Sequence, residues 1–206
     1  MKPTLIYIGD PLCSWCYGFA PEISQLKKHL GDRYDFELIM GGLRPYNTQT
    51  MTELGSFLQE HWQHVEERSG QPFDYTILKD SSFVYDTEPP ARAVVVVRHL
   101  KPDAEYAFYK AVQSAFYAKN KNTHDIQTYL DIAEDLAIDK TAFQKSFESD
   151  EMKALIRRDF ERTAEMGVAG FPTVLIRDGE TLFMVAKGYA DFVLLKKQVE
   201  LVEGRQ

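Results

Sequence analysis

The sequence predicts an α/β fold interrupted by a large all-helical insertion, and three observations carry that reading. Strand-like apolar runs occur only toward the two ends, at 5–8 and 35–40 and again at 173–177 and 182–186. The stretch between them keeps a helical period with no strand signal. No internal repeat, low-complexity tract or long Gly/Ser linker separates the two patterns, which favours an insert within the α/β unit over a second unit placed after it. Residues 1–50 and 155–206 are therefore assigned to one discontinuous α/β domain and 51–154 to the helical insert.

The elements follow in order. Leu5 to Ile8, bounded by Pro3 and Gly9-Asp10-Pro11, is too short for a helix and suits a buried strand. From Cys13 onward Phe19, Ile23, Leu26 and Leu30 recur at helical spacing and Gly31 is the stop signal, so Cys13 and Cys16 open a helix. Pro21 lies inside it, where its missing N–H and its ring predict a kink near Tyr17. Residues 35–40, closed by Gly41-Gly42, form the second strand; strand, helix, strand requires a crossover and predicts a parallel pair. Helices are predicted at 53–68, 89–100, 104–118, 125–137, 141–147 and 151–166. Strands at 173–177 and 182–186, joined by the turn pair Asp178-Gly179, read as a hairpin. An amphipathic helix at 190–202 closes the chain.

Composition narrows the function. The 206 residues are 44% hydrophobic and 27% charged, which supplies a packed core and gives no sign of disorder. Twenty-four Lys and Arg against 31 Asp and Glu give a net charge of −7, which argues against nucleic acid or an anionic membrane as the main partner. No apolar run approaches the roughly 18 residues of a spanning helix. The start leads straight into Leu5 to Ile8 with no room for a secretory signal, so the expectation is a soluble cytoplasmic protein. The two cysteines are too close together to staple a secreted scaffold.

Their spacing suits a different chemistry. In Cys13-Ser14-Trp15-Cys16 at a helix start, the unpaired N–H groups and partial positive charge of the terminus stabilise a thiolate, an effect that lowers a thiol pKa from about 8.5 toward about 3.5 to 7.5. Cys13 sits where this is greatest and is expected to attack a disulfide; Cys16, one turn later, is placed to resolve the mixed disulfide. Two alternatives compete. A zinc site needs two further ligands, which only His61 and His64 could supply, far outside the usual spacing; those histidines read better as a solvated helix face, and no metal is expected. An inert buried thiol pair does not account for the adjoining Asp10, Pro11 and Trp15.

A second constellation is Gly167-Val168-Ala169-Gly170-Phe171-Pro172-Thr173 before the hairpin. Pro172 cannot donate to a sheet, and its setting between a glycine-flanked loop and a strand suits either an ordinary trans bond or a cis one.

Taken together, the strand, the Cys13-Ser14-Trp15-Cys16 helix, the long helical insert and Gly170-Phe171-Pro172-Thr173 ahead of a hairpin and final helix resemble the DsbA family of thioredoxin-fold proteins, in particular its FrnE-like cytoplasmic branch. The resemblance spans nearly the whole chain and implies a thioredoxin-like fold with a helical insertion and a dithiol-disulfide oxidoreductase or isomerase activity. It implies that Pro172 is a cis-proline facing the sulfurs and that the Phe171 backbone pairs with an extended substrate as an added strand. Two departures stand out: Phe171 is bulkier than the residue usual there, and Ser14-Trp15 replaces the Pro-His of strongly oxidising members. Without that histidine a potential nearer about −270 mV than about −120 mV is expected.

Other residues carry two readings each. Asp10 is a proton-transfer candidate and also a turn or capping residue. Trp15 covers the disulfide and contacts substrate, or is simply an exposed aromatic. Glu88 to Arg92 is a helix start that family analogy puts at the rim of the site; Tyr106, Phe108, Tyr109, Phe116 and Tyr117 read as insert core. The substrate is expected to be a thiol- or disulfide-containing protein or small molecule, with no cofactor beyond glutathione as a co-substrate. The competing functions are an isomerase or glutathione transferase of the kappa or 2-hydroxychromene-2-carboxylate isomerase type, using a single thiol, and a polypeptide-binding chaperone.

Overall fold

Every residue of β1 (Thr4–Gly9) is buried, and alternation along the strand sends its side chains into two separate clusters. Leu5 and Tyr7 enter the main core with Phe19, Ile23 and Leu26, while Ile6 and Ile8 join Ile39 and Leu175 on the opposite face. The computed structural model, which describes residues 2–204, places β1 inside a four-stranded sheet of order β2-β1-β3-β4. β2 (Asp35–Met40) runs parallel to β1, as the crossover predicts, with Leu5 opposite Phe36 and Gly9 opposite Met40. β3 (Thr173–Asp178) is antiparallel to β1, and β4 (Thr181–Lys187) is antiparallel to β3. The hairpin turn falls at Gly179-Glu180, one residue later than expected, because Asp178 still pairs with Thr181; Gly179 takes the positive φ of 57° that the turn requires.

α1 (Ser14–Leu30) crosses from β1 to β2 with Cys13 as its N-cap and Lys27, Lys28 and His29 in its last turn, where the helix dipole favours cations. Pro21 does not break it. The carbonyl of Tyr17, which loses its helical donor to the proline, accepts instead from Gln71 Nε2 at 3.5 Å.

The insert begins with α2 (Met51–Ser69), started two residues earlier than expected by a Thr50–Glu53 capping box. α3 (Glu88–Leu100), α4 (Glu105–Tyr117), α5 (Ile126–Asp135), α6 (Lys140–Glu148) and α7 (Asp150–Glu165) follow. A lone antiparallel bridge, Thr50 to Val84, and a short 3-10 turn at Tyr75–Lys79 are the irregularities between α2 and α3. The insert does not stand apart from the sheet. Val94, Val96, Tyr109 and Val112 share the main core with Leu5, Tyr7 and Met40, and a second cluster joins Trp62, Phe116 and Tyr117 to Leu12 and Tyr17 beside the cysteines. On α7, which straddles the 154/155 boundary, buried Asp159 accepts from the Met40 N–H at 2.9 Å and pairs with Arg98 of α3 at 2.8 Å, tying α3 and α7 to the end of β2. α8 (Phe192–Glu203), capped by Asp191, closes the chain.

Candidate active site

The chain leaves β1 at Gly9 and makes a tight turn centred on Asp10 and Leu12. The Asp10 carboxylate accepts from Leu12 N–H at 2.9 Å through Oδ1 and from Leu43 N–H at 2.8 Å through Oδ2, joining the turn to the loop after β2. The Asp10 carbonyl accepts from Cys13 N–H at 3.1 Å and from the Tyr109 hydroxyl at 3.2 Å. The Leu12 carbonyl accepts from two phenols, Tyr117 at 2.6 Å and Tyr85. Asp10 is thus the turn residue that its Asp-Pro setting suggests. Complete burial pushes its carboxyl up to about 6, against the pull of the Leu43 and Leu12 N–H groups and the Thr87 hydroxyl.

Cys13 caps α1 with φ −88° and ψ 114° and is 5% exposed; Cys16, one turn on, is fully buried, and both are free thiols. The helix terminus does not lower the Cys13 pKa as the sequence led us to expect. Its thiol is pushed well above the ordinary thiol range, first by its hydrogen bond with Cys16, then by burial and by the negative charge of Cys16, while the Cys16 N–H pulls the other way. Two thiols buried beside each other disfavour the charged form, which accounts for the upward direction.

The Phe171-Pro172 peptide bond is cis, and the Phe171 carbonyl accepts from Cys13 Sγ at 3.7 Å. The bulk of Phe171 is turned away from the sulfur. Its ring packs with Met166 and Val168 on the Ile6/Ile8 face and lies over Gly41, where an added Cβ would stand 2.2 Å from ring carbon Cε1. Pro172 then fixes the loop to the hairpin, its carbonyl accepting from Gly188 N–H at 2.8 Å. Trp15, half-buried, stands edge-on to His61 of α2 at 5.9 Å between ring centroids and contacts Tyr189 at 5.9 Å; the Arg68 guanidinium lies 5.0 Å over the Tyr189 ring. Asp10, Cys13, Cys16, Trp15, Phe171 and Pro172 therefore converge.

His64 is exposed, as a solvated helix face requires, but His61 is only half-exposed: it stacks on Phe57 at 5.7 Å and meets Trp15, and burial, with His64 beside it, lowers its pKa. Glu88 and Arg92 pair with each other at 3.0 Å, Arg92 also donating to the Phe147 carbonyl, so they lock α3 to α6. The aromatic residues of α4 are core, as expected, yet the hydroxyls of Tyr109 and Tyr117 reach the cysteine turn. Their i, i+8 spacing puts both on one helix face, the signal that could have flagged them. Among the described residues no group of three or more His, Cys, Asp and Glu side chains is placed to hold a metal ion. A cleft of about 540 Å³, lined by Lys27, Tyr34, Phe36 and Tyr106, includes neither cysteine.

A thiol pair at a helix start facing a cis-proline loop is the arrangement that relatives must share if the resemblance holds. A family model described as thioredoxin matches residues 6–184. The chain belongs to that thioredoxin family. Within it, the fold is that of the DsbA-type members with a helical insertion. This thioredoxin-family chain is similar to a protein from Nitrosomonas europaea described as a candidate protein disulfide isomerase, with 32% identity, TM-score 0.93 and full coverage of both chains. It is similar to the cytosolic disulfide reductase DsbM from Pseudomonas aeruginosa, with 25% identity, TM-score 0.78 and 98% of each chain covered. Among curated proteins it matches the ClpXP adapter protein SpxH of Bacillus subtilis, 27% identical over 176 residues, which are 84% of this chain and 58% of that relative. A 2-hydroxychromene-2-carboxylate isomerase shares the fold alone, at 16% identity and TM-score 0.60 over 98% of this chain and 95% of its own.

Proposed function

We propose that this protein is a dithiol-disulfide oxidoreductase in which Cys13 attacks and Cys16 resolves. The observation that carries the reading is the Cys13 sulfur at the cap of α1, 3.7 Å from the carbonyl that precedes cis-Pro172, with Cys16 buried one turn behind it. In the reducing direction the Cys13 thiolate attacks a substrate disulfide, forms a mixed disulfide and releases the first substrate thiol. Cys16 then gives up its proton to the departing second sulfur and attacks Cys13 Sγ, closing the Cys13–Cys16 disulfide. Asp10, buried beside Cys13 with a pKa near neutrality, is the group we assign to take and return the Cys13 proton.

The tightly held proton on Cys13 bears on direction. Strong oxidants of this kind owe their potential to a stabilised thiolate in the reduced form. Here burial and Cys16 work against that thiolate, which supports a potential on the reducing side. The cytosolic reductase description of the Pseudomonas relative supports the same direction and a cytoplasmic setting, and its structure with GSH supports glutathione as the small-thiol partner. No described helix is long and apolar enough to cross a membrane. The Phe171 backbone beside Cys13 and the aromatic shelf of Trp15 and Tyr189 fit an extended polypeptide laid along the site.

Replacing Cys16 with serine tests the assignment. It is expected to trap a mixed disulfide at Cys13 and to abolish turnover, while equilibration of the wild type against a glutathione series gives a potential nearer about −270 mV than about −120 mV. Failure of the Cys16→Ser form to trap a mixed disulfide at Cys13, or turnover that survives the loss of Cys16, sinks the reading; surviving isomerisation of a small substrate would favour the single-thiol alternative.

A further inference from the structure

Two clefts meet between α1 and α4, and the exchange reaction uses neither. One, of about 460 Å³, is lined by Tyr17, Pro21, Gln71, Pro72 and Gln113; the other is the cleft of about 540 Å³ that holds Phe36 and Tyr106. Ser24 and Lys110 line both, so the two form one groove. Tyr106, Lys110 and Gln113 stand at i, i+4 and i+7 on α4, and Tyr17, Ala20, Ser24 and Lys27 at i, i+3, i+7 and i+10 on α1, so each helix gives the groove one face. At one end Gln113 is fully buried, and neither its Oε1 nor its Nε2 has a hydrogen-bond partner; among the described residues it is the one side chain with two such atoms. A stranded buried amide weakens a fold, so packing gives no reason for it. At the other end Lys27 Nζ lies 4.7 Å from the Phe36 ring centre and 5.3 Å from that of Tyr106, while Lys110 Nζ lies 5.0 Å from Tyr106. The Tyr106 ring is fixed, its hydroxyl 2.9 Å from Ser24 Oγ, which donates to the Ala20 carbonyl at 2.6 Å. Among the described residues Lys27, Lys28 and Lys110 form no ion pair; Asp35, beside them, is held by Lys2 at 2.8 Å, which leaves Asp32 as the one unpaired carboxylate of this cleft. The helix dipole accounts for Lys27 and Lys28 in the last turn of α1, but not for Lys110 in the middle of α4.

We propose that this groove binds an adenine nucleotide, with the base edge on Gln113 and the phosphate on Lys27 and Lys110. A glutamine amide matches adenine with two bonds, Oε1 accepting from the N6 amino group and Nε2 donating to N7; guanine offers two acceptors on that edge and sets its O6 against Oε1. Tyr17, Pro21 and Pro72 supply apolar walls for the purine. The phosphate supplies the negative charge that the lysines lack in a chain whose net charge is −7, and it separates two ammonium groups that repel each other over one ring. The Gln113 amide reaches the base by rotation of its side chain. Gln71, on the same cleft and held by a bond of 3.5 Å to the Tyr17 carbonyl, gives way to it.

Calorimetric titration of the full chain with adenosine monophosphate, guanosine monophosphate and inorganic phosphate tests the proposal. The adenine nucleotide is expected to bind at least about tenfold more tightly than either of the others. Replacing Lys27 and Lys110 together with methionine is expected to weaken its binding by about tenfold or more and to reduce the dependence on salt. Gln113→Leu is expected to erase the preference for adenine over guanine while Tm stays the same or rises, because the change removes two stranded polar atoms and keeps most of the volume. An amide with a purely structural role would instead lower Tm on its loss and leave the preference intact, and that result overturns the proposal. Equal affinity for the two nucleotides, inorganic phosphate binding as tightly as the adenine nucleotide, or no binding of the adenine nucleotide overturns it as well. Should Gln113→Leu not fold, the comparison of the two nucleotides on the wild type still decides. None of these readouts uses Cys13 or Cys16, so the outcome is independent of the exchange reaction assigned above.

Discussion

Gly41 is the residue on which the position of the Phe171 carbonyl depends, and Gly41→Ala isolates that dependence. The glycine does not take a positive φ, so the substitution brings no backbone penalty of that kind. Its whole effect is steric: the new methyl would sit 2.2, 2.3 and 2.6 Å from three carbons of the Phe171 ring. Ordinary carbon contacts begin near about 3.5 Å, so the ring must retreat by roughly 1.3 Å. Overpacking of this order costs about 1–3 kcal/mol. For a chain of this size each kcal/mol is worth about 2–4 °C in Tm, which gives an expected fall of roughly 2–12 °C. To the extent that the ring carries the Phe171 backbone with it, the carbonyl facing Cys13 Sγ moves too, and a misplacement of about 1 Å at a reacting centre costs as much as about 100-fold in rate. Thermal unfolding and the rate of Cys13 exchange with a model disulfide measure the two effects. Adding Phe171→Val in the same chain makes room for the methyl and is expected to restore much of the lost Tm, so the double-mutant cycle is strongly non-additive. Wild-type Tm and exchange rate in Gly41→Ala, or additive effects in the cycle, would refute the reasoning.

Two further outcomes are expected. Asp10 is raised in the fold from 3.8 to about 6, which corresponds to about 3 kcal/mol. Below about pH 4 folded and unfolded chains both carry it protonated; between about pH 4 and 6 the unfolded chain ionises first, so stability falls as pH rises. Urea unfolding across that window should show this slope in the wild type and a flatter one in Asp10→Asn, and equal slopes would remove Asp10 as its source. Either Tyr85→Phe or Tyr117→Phe leaves the Leu12 carbonyl one phenol donor, so each single change should lower stability by about 1 kcal/mol or less, whereas the double change strands a buried carbonyl and should cost about 1–3 kcal/mol more than the singles together. Strict additivity in urea titrations would count against the shared acceptor.

The sequence was most informative where local chemistry and chain order coincide. β1, the cysteine-led α1, the parallel β2 and the closing hairpin each carry their own signals, and Cys13, Cys16, Phe171 and Pro172 meet because those elements can be assembled in few ways. It was least informative where a residue acts from the far side of the fold. Helical periodicity buries the rings of Tyr109 and Tyr117 correctly, yet a period says nothing about where a hydroxyl ends, and both end on the cysteine turn. His61 looked solvated because only tertiary packing brings α2 against Trp15. The Cys13 acidity expected from the helix terminus failed for a related reason: the dipole is a property of one helix and visible in sequence, while desolvation is a property of everything packed around it.

The two phenols on the Leu12 carbonyl have a consequence for anyone wishing to shorten this protein. Tyr117 comes from α4 and Tyr85 from the stretch just ahead of α3, so the peptide unit immediately before Cys13 is held by the segment between β2 and β3 and not by the sheet. A version trimmed to the strands and their flanking helices would keep both sulfurs and lose the mould that shapes the loop carrying them. The helices between β2 and β3 serve as the casing of the thiol pair, and a minimal form of this protein would have to replace that casing before it could reproduce the site.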